Sequence, residues 1–372
     1  MTRALIIGGT GPTGPHIVNG LEARGYDVTI LHTGRHETDL IAHSVEHIHT
    51  DPFDPEATSA TLHGRTFDIA VVTYGRLRQL AEILVGKVGH FVSIGGVGVY
   101  QGFANPDEIF PAGLMVPQPA DAALVGDDEF FRKLRRIRET EERVLELHPQ
   151  AIHLRYPQIY GPRQLLPREW PIVRRVLDRR PFLIVPDGGL TVKAQSWIEN
   201  AAHAALLAAD APAAALGNIY NVADDSALSI AQIAEIVADE FGHEWELVNL
   251  PADVAPSARP MLTSWSSTHR VIDTRPLQRD LGYRDVVDPV DAWRRAARWL
   301  AENPLEPGGP AEQRLQDPFD YDAEDALVAA WREARVALEA VTWTVEPGYT
   351  AAYVGRKPNP AATPTRLGSV GD

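Results

Sequence analysis

The chain begins with a short apolar run, Ala4-Leu5-Ile6-Ile7, that stops at a pair of glycines. Comparable runs rich in β-branched residues recur at 27–31, 45–49, 67–73, 90–94 and 151–156. Between them lie stretches with helical spacing, so the first 160 residues predict repeated strand–helix–strand units. The first helix is expected to begin near Pro15, whose missing N–H is harmless in a first helical turn. It should end before Gly25, a residue suited to a left-handed cap.

After Ile94 the rhythm pauses in a Gly- and Pro-rich stretch. It resumes as an amphipathic helix over about 127–147, with an apolar stripe of Phe130, Leu134, Ile137 and Val144. Glu141 sits on that stripe, so its carboxylate is expected either to be paired at a seam or to face a site. Beyond 160 the pattern gives strands at 182–185, 218–222 and 245–250 and helices at 199–208 and 229–241, which reads as a smaller α+β lobe. Residues 303–325 have the composition of a linker, 326–340 predict another helix, and the tail from about 358 is expected to be disordered. The fold expected is α/β: a Rossmann doubly wound parallel sheet, a smaller α+β substrate lobe and a C-terminal extension. Its domains would be 1–160 for NAD(P) binding, with contributions from about 195–225, then 161–302 and 303–372. Trp331, Trp343, Tyr349 and Tyr353 predict that the extension folds back on the second lobe and caps a pocket.

Composition narrows the functional classes. With 372 residues, 44% of them apolar, the chain can bury a substantial core. A formal net charge of -15 disfavours nucleic acid and anionic membrane as partners. The densest basic run, from Arg132 to Arg138, is followed at once by Glu139, Glu141 and Glu142 and reads as a solvated helix face. No window is long and apolar enough to span a bilayer, and a cytoplasmic location is expected. There are no cysteines, which removes disulfides, thiolate metal ligands and cysteine nucleophiles.

The sharpest signal is Gly8-Gly9-Thr10-Gly11-Pro12-Thr13-Gly14, between a predicted strand and a predicted helix. Glycines there allow a tight turn and let backbone N–H groups approach a pyrophosphate, which the helix N-terminus stabilises. No Lys-Ser or Lys-Thr follows, so the loop is not a phosphoryl-transfer P-loop. The second strand ends Leu31-His32-Thr33-Gly34-Arg35, without an acid to accept hydrogen bonds from an adenosine ribose. Arg35 instead suits a 2′-phosphate, so NADP is expected as cofactor and NAD less so. Asp51 and Phe53 are expected near the adenine, with ordinary turn chemistry as the competing reading. Thr33 and Thr73 join Gly8, Thr10, Gly11, Pro12, Thr13 and Gly14 in the expected cofactor set. His43, His47 and His49 with Asp51 lack a third fixed ligand, and no metal is expected.

Taken together, these segments resemble the extended short-chain dehydrogenase/reductases, the NAD(P)-dependent epimerase/dehydratase group, over roughly residues 3–300. The resemblance rests on Gly8-x-x-Gly11-x-x-Gly14, Asp51-Pro52-Phe53, residues 91–94 leading to Val99-Tyr100, and Arg155-Tyr156-Pro157-Gln158-Ile159-Tyr160-Gly161-Pro162. Trp197-Ile198-Glu199-Asn200-Ala201-Ala202 and Asn218-Ile219-Tyr220-Asn221-Val222 extend it. The resemblance implies that Pro157 lies near the nicotinamide. It also implies a Ser or Thr and a Tyr-x-x-x-Lys pair as proton-handling groups, and here the chain departs. The Ser/Thr position falls on Gly96, the Tyr position on Lys133 and the Lys position on Ile137. The single Tyr-x-x-x-Lys in the chain, Tyr353 with Lys357, lies in the C-terminal extension.

Three functions follow. The first is an atypical NADPH-dependent oxidoreductase that reduces a carbonyl of a small organic or sugar-like substrate with a non-standard proton donor. Tyr74, Arg76, Ser93, Tyr100, Lys133 and Tyr160 are candidate polar groups, with Lys133, Tyr100 and Tyr74 the catalytic candidates. The second is a catalytically silent NADP-binding scaffold. The third is a sugar-nucleotide epimerase or dehydratase, which would need basic residues such as Arg163, Arg168, Arg174, Arg175, Arg179 and Arg180 at a diphosphate. The expected partners are a small-molecule substrate and a second copy of the chain.

Overall fold

A computed structural model describes residues 2–345, apart from 36–37, 74, 128–131 and 263–265. Its centre is a seven-stranded sheet in which every strand pair is parallel. The strands are β1 (Arg3–Ile7), β2 (Asp27–His32), β3 (Glu46–His49), β4 (Phe67–Val72), β5 (Val88–Gly96), β6 (Ile152–Tyr156) and β10 (Ile219–Asn221), in spatial order β3-β2-β1-β4-β5-β6-β10. The order reverses between β1 and β4, and such a switch point leaves a crevice at the carboxyl ends of the strands. The run 218–222, assigned by pattern to the region after 160, supplies the seventh strand, pairing Tyr220 with Leu154.

Both faces of the sheet are covered, which explains the continuous apolar runs. Within β1, Ala4 and Ile6 belong to one core with Ile17, Val18 and Leu21 of helix α1 (Gly14–Ala23) and Ala201, Ala205 and Leu206 of helix α6 (Ile198–Ala209). Leu5 and Ile7 belong to the opposite core with Leu77, Leu80 and Leu84 of helix α3 (Leu77–Leu84) and Val144 of helix α4 (Arg132–Leu147). Successive strand residues point to opposite faces, so two cores need apolar residues at every position.

The second lobe contains two small parallel pairs. β7 (Gln158–Tyr160) pairs with β9 (Gln195–Trp197), and β8 (Phe182–Pro186) pairs with β11 (Glu246–Leu250). Helices α5 (Trp170–Leu177), α7 (Ile230–Glu240) and α10 (Pro289–Glu302) surround them. The segment 303–320 corrects its linker-like composition. Glu312 accepts from Trp170 Nε1 at 2.8 Å and from the Arg174 guanidinium, and Asp317 receives two hydrogen bonds from Arg175, at 2.8 and 2.9 Å. The acids that suggested a solvated linker are thus clamps onto α5. A second unit begins at Tyr321 and contains helix α12 (Tyr321–Glu339), five residues longer at its start than the spacing predicted. Tyr349, Tyr353, Lys357 and the tail from 358 lie outside the described residues. Among the described residues, no helix is long and apolar enough to cross a membrane.

Candidate functional site

The glycine loop follows β1 at the switch point. The Gly8 N–H donates to Leu31 O at 3.3 Å, Gly11 N–H to Gly8 O at 3.1 Å and Gly14 N–H to Gly11 O at 2.9 Å, so the chain makes two successive turns over the sheet edge before α1 starts. Side chains would not fit this path. Gly8 has φ +96°, and a Cβ there would stand 1.9 Å from Thr73 Oγ1; a Cβ on Gly14 would stand 2.2 Å from Gly9 O. Thr73 closes the floor, its hydroxyl donating to Ile7 O at 2.9 Å. The loop therefore presents backbone, with Thr10, Pro12 and Thr13 half-buried along it and the first-turn N–H groups of α1 behind, an arrangement that fits a pyrophosphate.

Around the neighbouring strands, the expected adenosine contacts are arranged as follows. Thr33 and Arg35 are exposed past the end of β2, with the Thr33 hydroxyl accepting from Arg35 N–H at 3.3 Å. Among the described residues, no carboxylate pairs with Arg35. Asp51 is exposed, and its Oδ1 accepts from Phe53 N–H at 2.9 Å, so it serves turn chemistry here. The Phe53 ring is 58% exposed and lies 5.3 Å from the Arg76 guanidinium, at the mouth of the crevice.

One expectation about histidines needs correcting. His32, buried at the end of β2, joins His47 and His49 of β3, and the three ligand-type atoms lie within 4.8 Å of one another. The strand register, with His32 opposite His49, puts them on one face, which spacing along a single strand could not show. Gly34 N–H donates to His32 Nδ1 at 3.3 Å, and His32 Nε2 lies 3.1 Å from His47 Nδ1.

Between β5, α4 and the second lobe lies a cavity of about 430 Å³. Gly96, Pro157, Lys133 and Ile137 line it, so the positions where the resemblance implied Ser, Tyr and Lys come together as a glycine, a lysine and an isoleucine. Lys133 and Ile137, four apart on α4, also line an adjoining cavity of about 820 Å³ that reaches Arg76 and Arg136. Among the described residues, neither Ser nor Thr lines the smaller cavity. Tyr156, which does, donates its hydroxyl to Ala201 O at 2.6 Å, and burial raises its pKa far above the usual range.

Tyr100 is placed away from the cavity. It is fully buried, donates to Asn221 Oδ1 at 2.6 Å and accepts from Arg155 Nη1 at 2.8 Å. Burial raises its pKa, against the lowering effect of Arg155. Tyr160 is also buried, donating to Asp224 at 2.8 Å. Ser93, 2.7 Å from His153 Nδ1, belongs to the same interior as Glu141, whose Oε2 is 3.2 Å from His153 Nε2 but off the direction of a good hydrogen bond. Glu141 is thus paired, not facing a site. Tyr74 lies outside the described residues. Of the three catalytic candidates, Lys133 alone is placed on the cavity.

The arginines considered for a diphosphate are dispersed. Arg174 and Arg175 are engaged by Glu312 and Asp317, Arg180 stacks over Phe182 at 4.9 Å, and Arg163 reaches Thr38 and Asp39. Arg168 does line the cavity, with two cations that the sequence analysis missed, Lys193 and Arg270. Only pairing between segments 77 residues apart brings that couple together, so no local signal could show it.

No protein-family model matches the chain. It is 26% identical over 307 residues to a 3-diazoavenalumate denitrifying reductase of a Streptomyces species, covering 75% of this chain and 92% of that one. Among solved structures, it is similar to a UDP-galactose 4-epimerase (TM-score 0.58, 18% identity, 82% of this chain and 100% of that one). A UDP-glucose 4-epimerase from Thermotoga maritima, in complex with UDP-glucose, gives a TM-score of 0.62 at 14% identity, over 81% and 99%. The Bordetella bronchiseptica enzyme WbmH, in complex with NAD+, gives 0.63 at 14% identity, over 82% and 100%. These structures share the fold of this chain, a Rossmann-like α/β sheet flanked by helices.

Proposed function

We propose that the protein is a nicotinamide-dependent reductase, using NADPH, whose substrate accepts hydride without a tyrosine proton relay. The observation that carries this reading is the replacement set around the cavity, Gly96, Lys133 and Ile137; among the described residues the nearby hydroxyls of Tyr156 and Thr140 donate to the backbone carbonyls of Ala201 and Arg136. The bound cofactor would supply hydride. Its pyrophosphate would rest on the Gly8–Gly14 loop, and Arg35 would pair with a 2′-phosphate.

A carbonyl substrate needs a proton or a cation at its oxygen, and Lys133, on the helix position where the resemblance implied Tyr, is a group able to offer either. A diazo substrate does not. When an aryl diazonium takes hydride, a C–H bond forms, the C–N bond breaks, and its electron pair leaves with N₂; no oxygen has to be protonated. The relative's name describes a denitrifying reduction of a diazo compound, which supports the second substrate class. The role of the chain is then to bind, orient and exclude water, and positioning alone can supply much of the rate.

The test is cofactor oxidation with an aryl diazo acid and with a matched ketone, for the wild type and for Lys133→Ala. NADPH oxidation with the diazo acid, retained by the variant, is expected. Turnover of the ketone alone, lost in the variant, would return the protein to carbonyl reduction.

A further inference from the structure

The register of the second lobe sets two cations side by side. Lys193 and Arg270 form a parallel bridge, with Ala194 N–H donating to Arg270 O at 2.7 Å and Arg270 N–H to Val192 O at 2.9 Å. Both side chains line the 430 Å³ cavity together with Arg168, and both residues are buried. Like charges directly opposite each other are destabilising, and burial makes the arrangement more costly still. Backbone carbonyls offset part of that cost. Lys193 Nζ donates to Met261 O, and Arg270 is braced by the carbonyls of Phe103, Ser266 and Thr268. Arg168 has no protein acceptor among the described residues. Glu169, the nearby carboxylate, is fully buried, accepts from Gly161 N–H at 3.0 Å, and has its pKa pushed up to about 7 by burial. Burial, with Arg168 and Arg270 adding to it, brings Lys193 down to about 7.

Much of the remaining lining is apolar, with Val97, Phe103, Leu134, Ile137 and Ile159, while Lys133 and Gln158 add polar groups. We infer that this cavity takes an amphipathic anion, an aromatic or extended apolar body ending in a carboxylate, with Lys193, Arg168 and Arg270 receiving the carboxylate. The inference rests on the proposed reductase reading for its placement beside the reacting centre, and it names the substrate class of that site. A guanidinium and an ammonium fit a carboxylate, and charge-assisted bonds inside a cavity are stronger than neutral ones.

The experiment is calorimetric titration of the full chain, with and without NADPH, using 4-hydroxycinnamate, its neutral amide, and UDP. The acid is expected to bind about tenfold or more tighter than the amide. That preference should fall towards unity in Arg168→Gln, a half-exposed position that tolerates change, and in Lys193→Met, with circular dichroism confirming the fold of each. Equal affinities for acid and amide, no binding of either, a preference retained in Arg168→Gln, or UDP binding more tightly than the acid would each overturn it. Binding of 4-hydroxycinnamate, together with an aryl diazo acid that leaves NADPH unoxidised, would count against the proposed hydride transfer alone. Turnover of neutral and acidic electrophiles without discrimination would count against this inference alone.

Discussion

Glu141 and Arg155 face each other as a buried bidentate ion pair, Arg155 Nε donating at 2.8 Å and Nη2 at 2.5 Å, with both side chains almost wholly removed from solvent. The pair ties α4 to β6, and Arg155 continues to Tyr100 and to Ala120 O. Removing one partner strands the other. Glu141→Ala is expected to cost about 3–5 kcal/mol, measured by urea unfolding, while leaving NADPH affinity intact in whatever fraction remains folded.

The same pair predicts a pH dependence. Burial alone would raise the Glu141 pKa, but the bidentate hydrogen bonds and charge of Arg155, with the His153 ring beside it, outweigh it and hold the carboxyl at about 2. Because the folded value lies below the unfolded one, the stabilisation is complete above about pH 4.5 and is lost as pH falls towards 2. The stability difference between wild type and Glu141→Gln should therefore shrink across that window. A difference constant from pH 6 to pH 3 would remove the assignment.

Gly14→Ala tests the loop. Its Cβ would meet the Gly9 backbone at 2.2 Å, and backbone at a tight turn has nowhere to move. Fluorescence titration is expected to show NADPH affinity reduced by at least about tenfold, which corresponds to about 1.4 kcal/mol.

Arg35→Ala separates the cofactors. Loss of a charge-assisted contact to a 2′-phosphate should weaken NADPH by about ten- to a hundredfold and leave NADH unchanged. Equal weakening of both would place Arg35 elsewhere on the cofactor.

Gly96→Ser asks whether the missing hydroxyl is excluded by space. It is not: Gly96 has an extended backbone at φ -145°, and a Cβ would find its nearest neighbour, Tyr156 O, at 3.7 Å. The variant should fold with a stability change within about 1 kcal/mol. A large loss, read by thermal unfolding, would mean that Gly96 is a packing requirement instead of a departure in chemistry.

How much of this was legible in the sequence depended on the range of the interaction. The doubly wound core and the glycine loop were visible because burial on both faces and tight turns impose local residue choices, as at Ala4–Ile7 and Gly8–Gly14. The positions of Gly96, Lys133 and Ile137 were visible too, the first by counting back from Val99-Tyr100 and the other two by counting back from Glu141. The His32–His47–His49 group was not, because His32 reaches the others across a strand pair. Nor was the Lys193–Arg270 couple, which exists only through the bridge between two distant segments. The segment 303–320 misled by composition, since Glu312 and Asp317 look solvated until Arg174 and Arg175 are placed opposite them.

The central claim is hydride transfer into a cavity without a hydroxyl acid, and isotope tracing tests it most directly. With NADPH deuterated at C4 on the transferred face and an aryl diazo acid as substrate, the product should carry one deuterium on the carbon that lost N₂. Product with hydrogen from solvent at that carbon, or unoxidised cofactor beside unchanged diazo acid, would contradict the account.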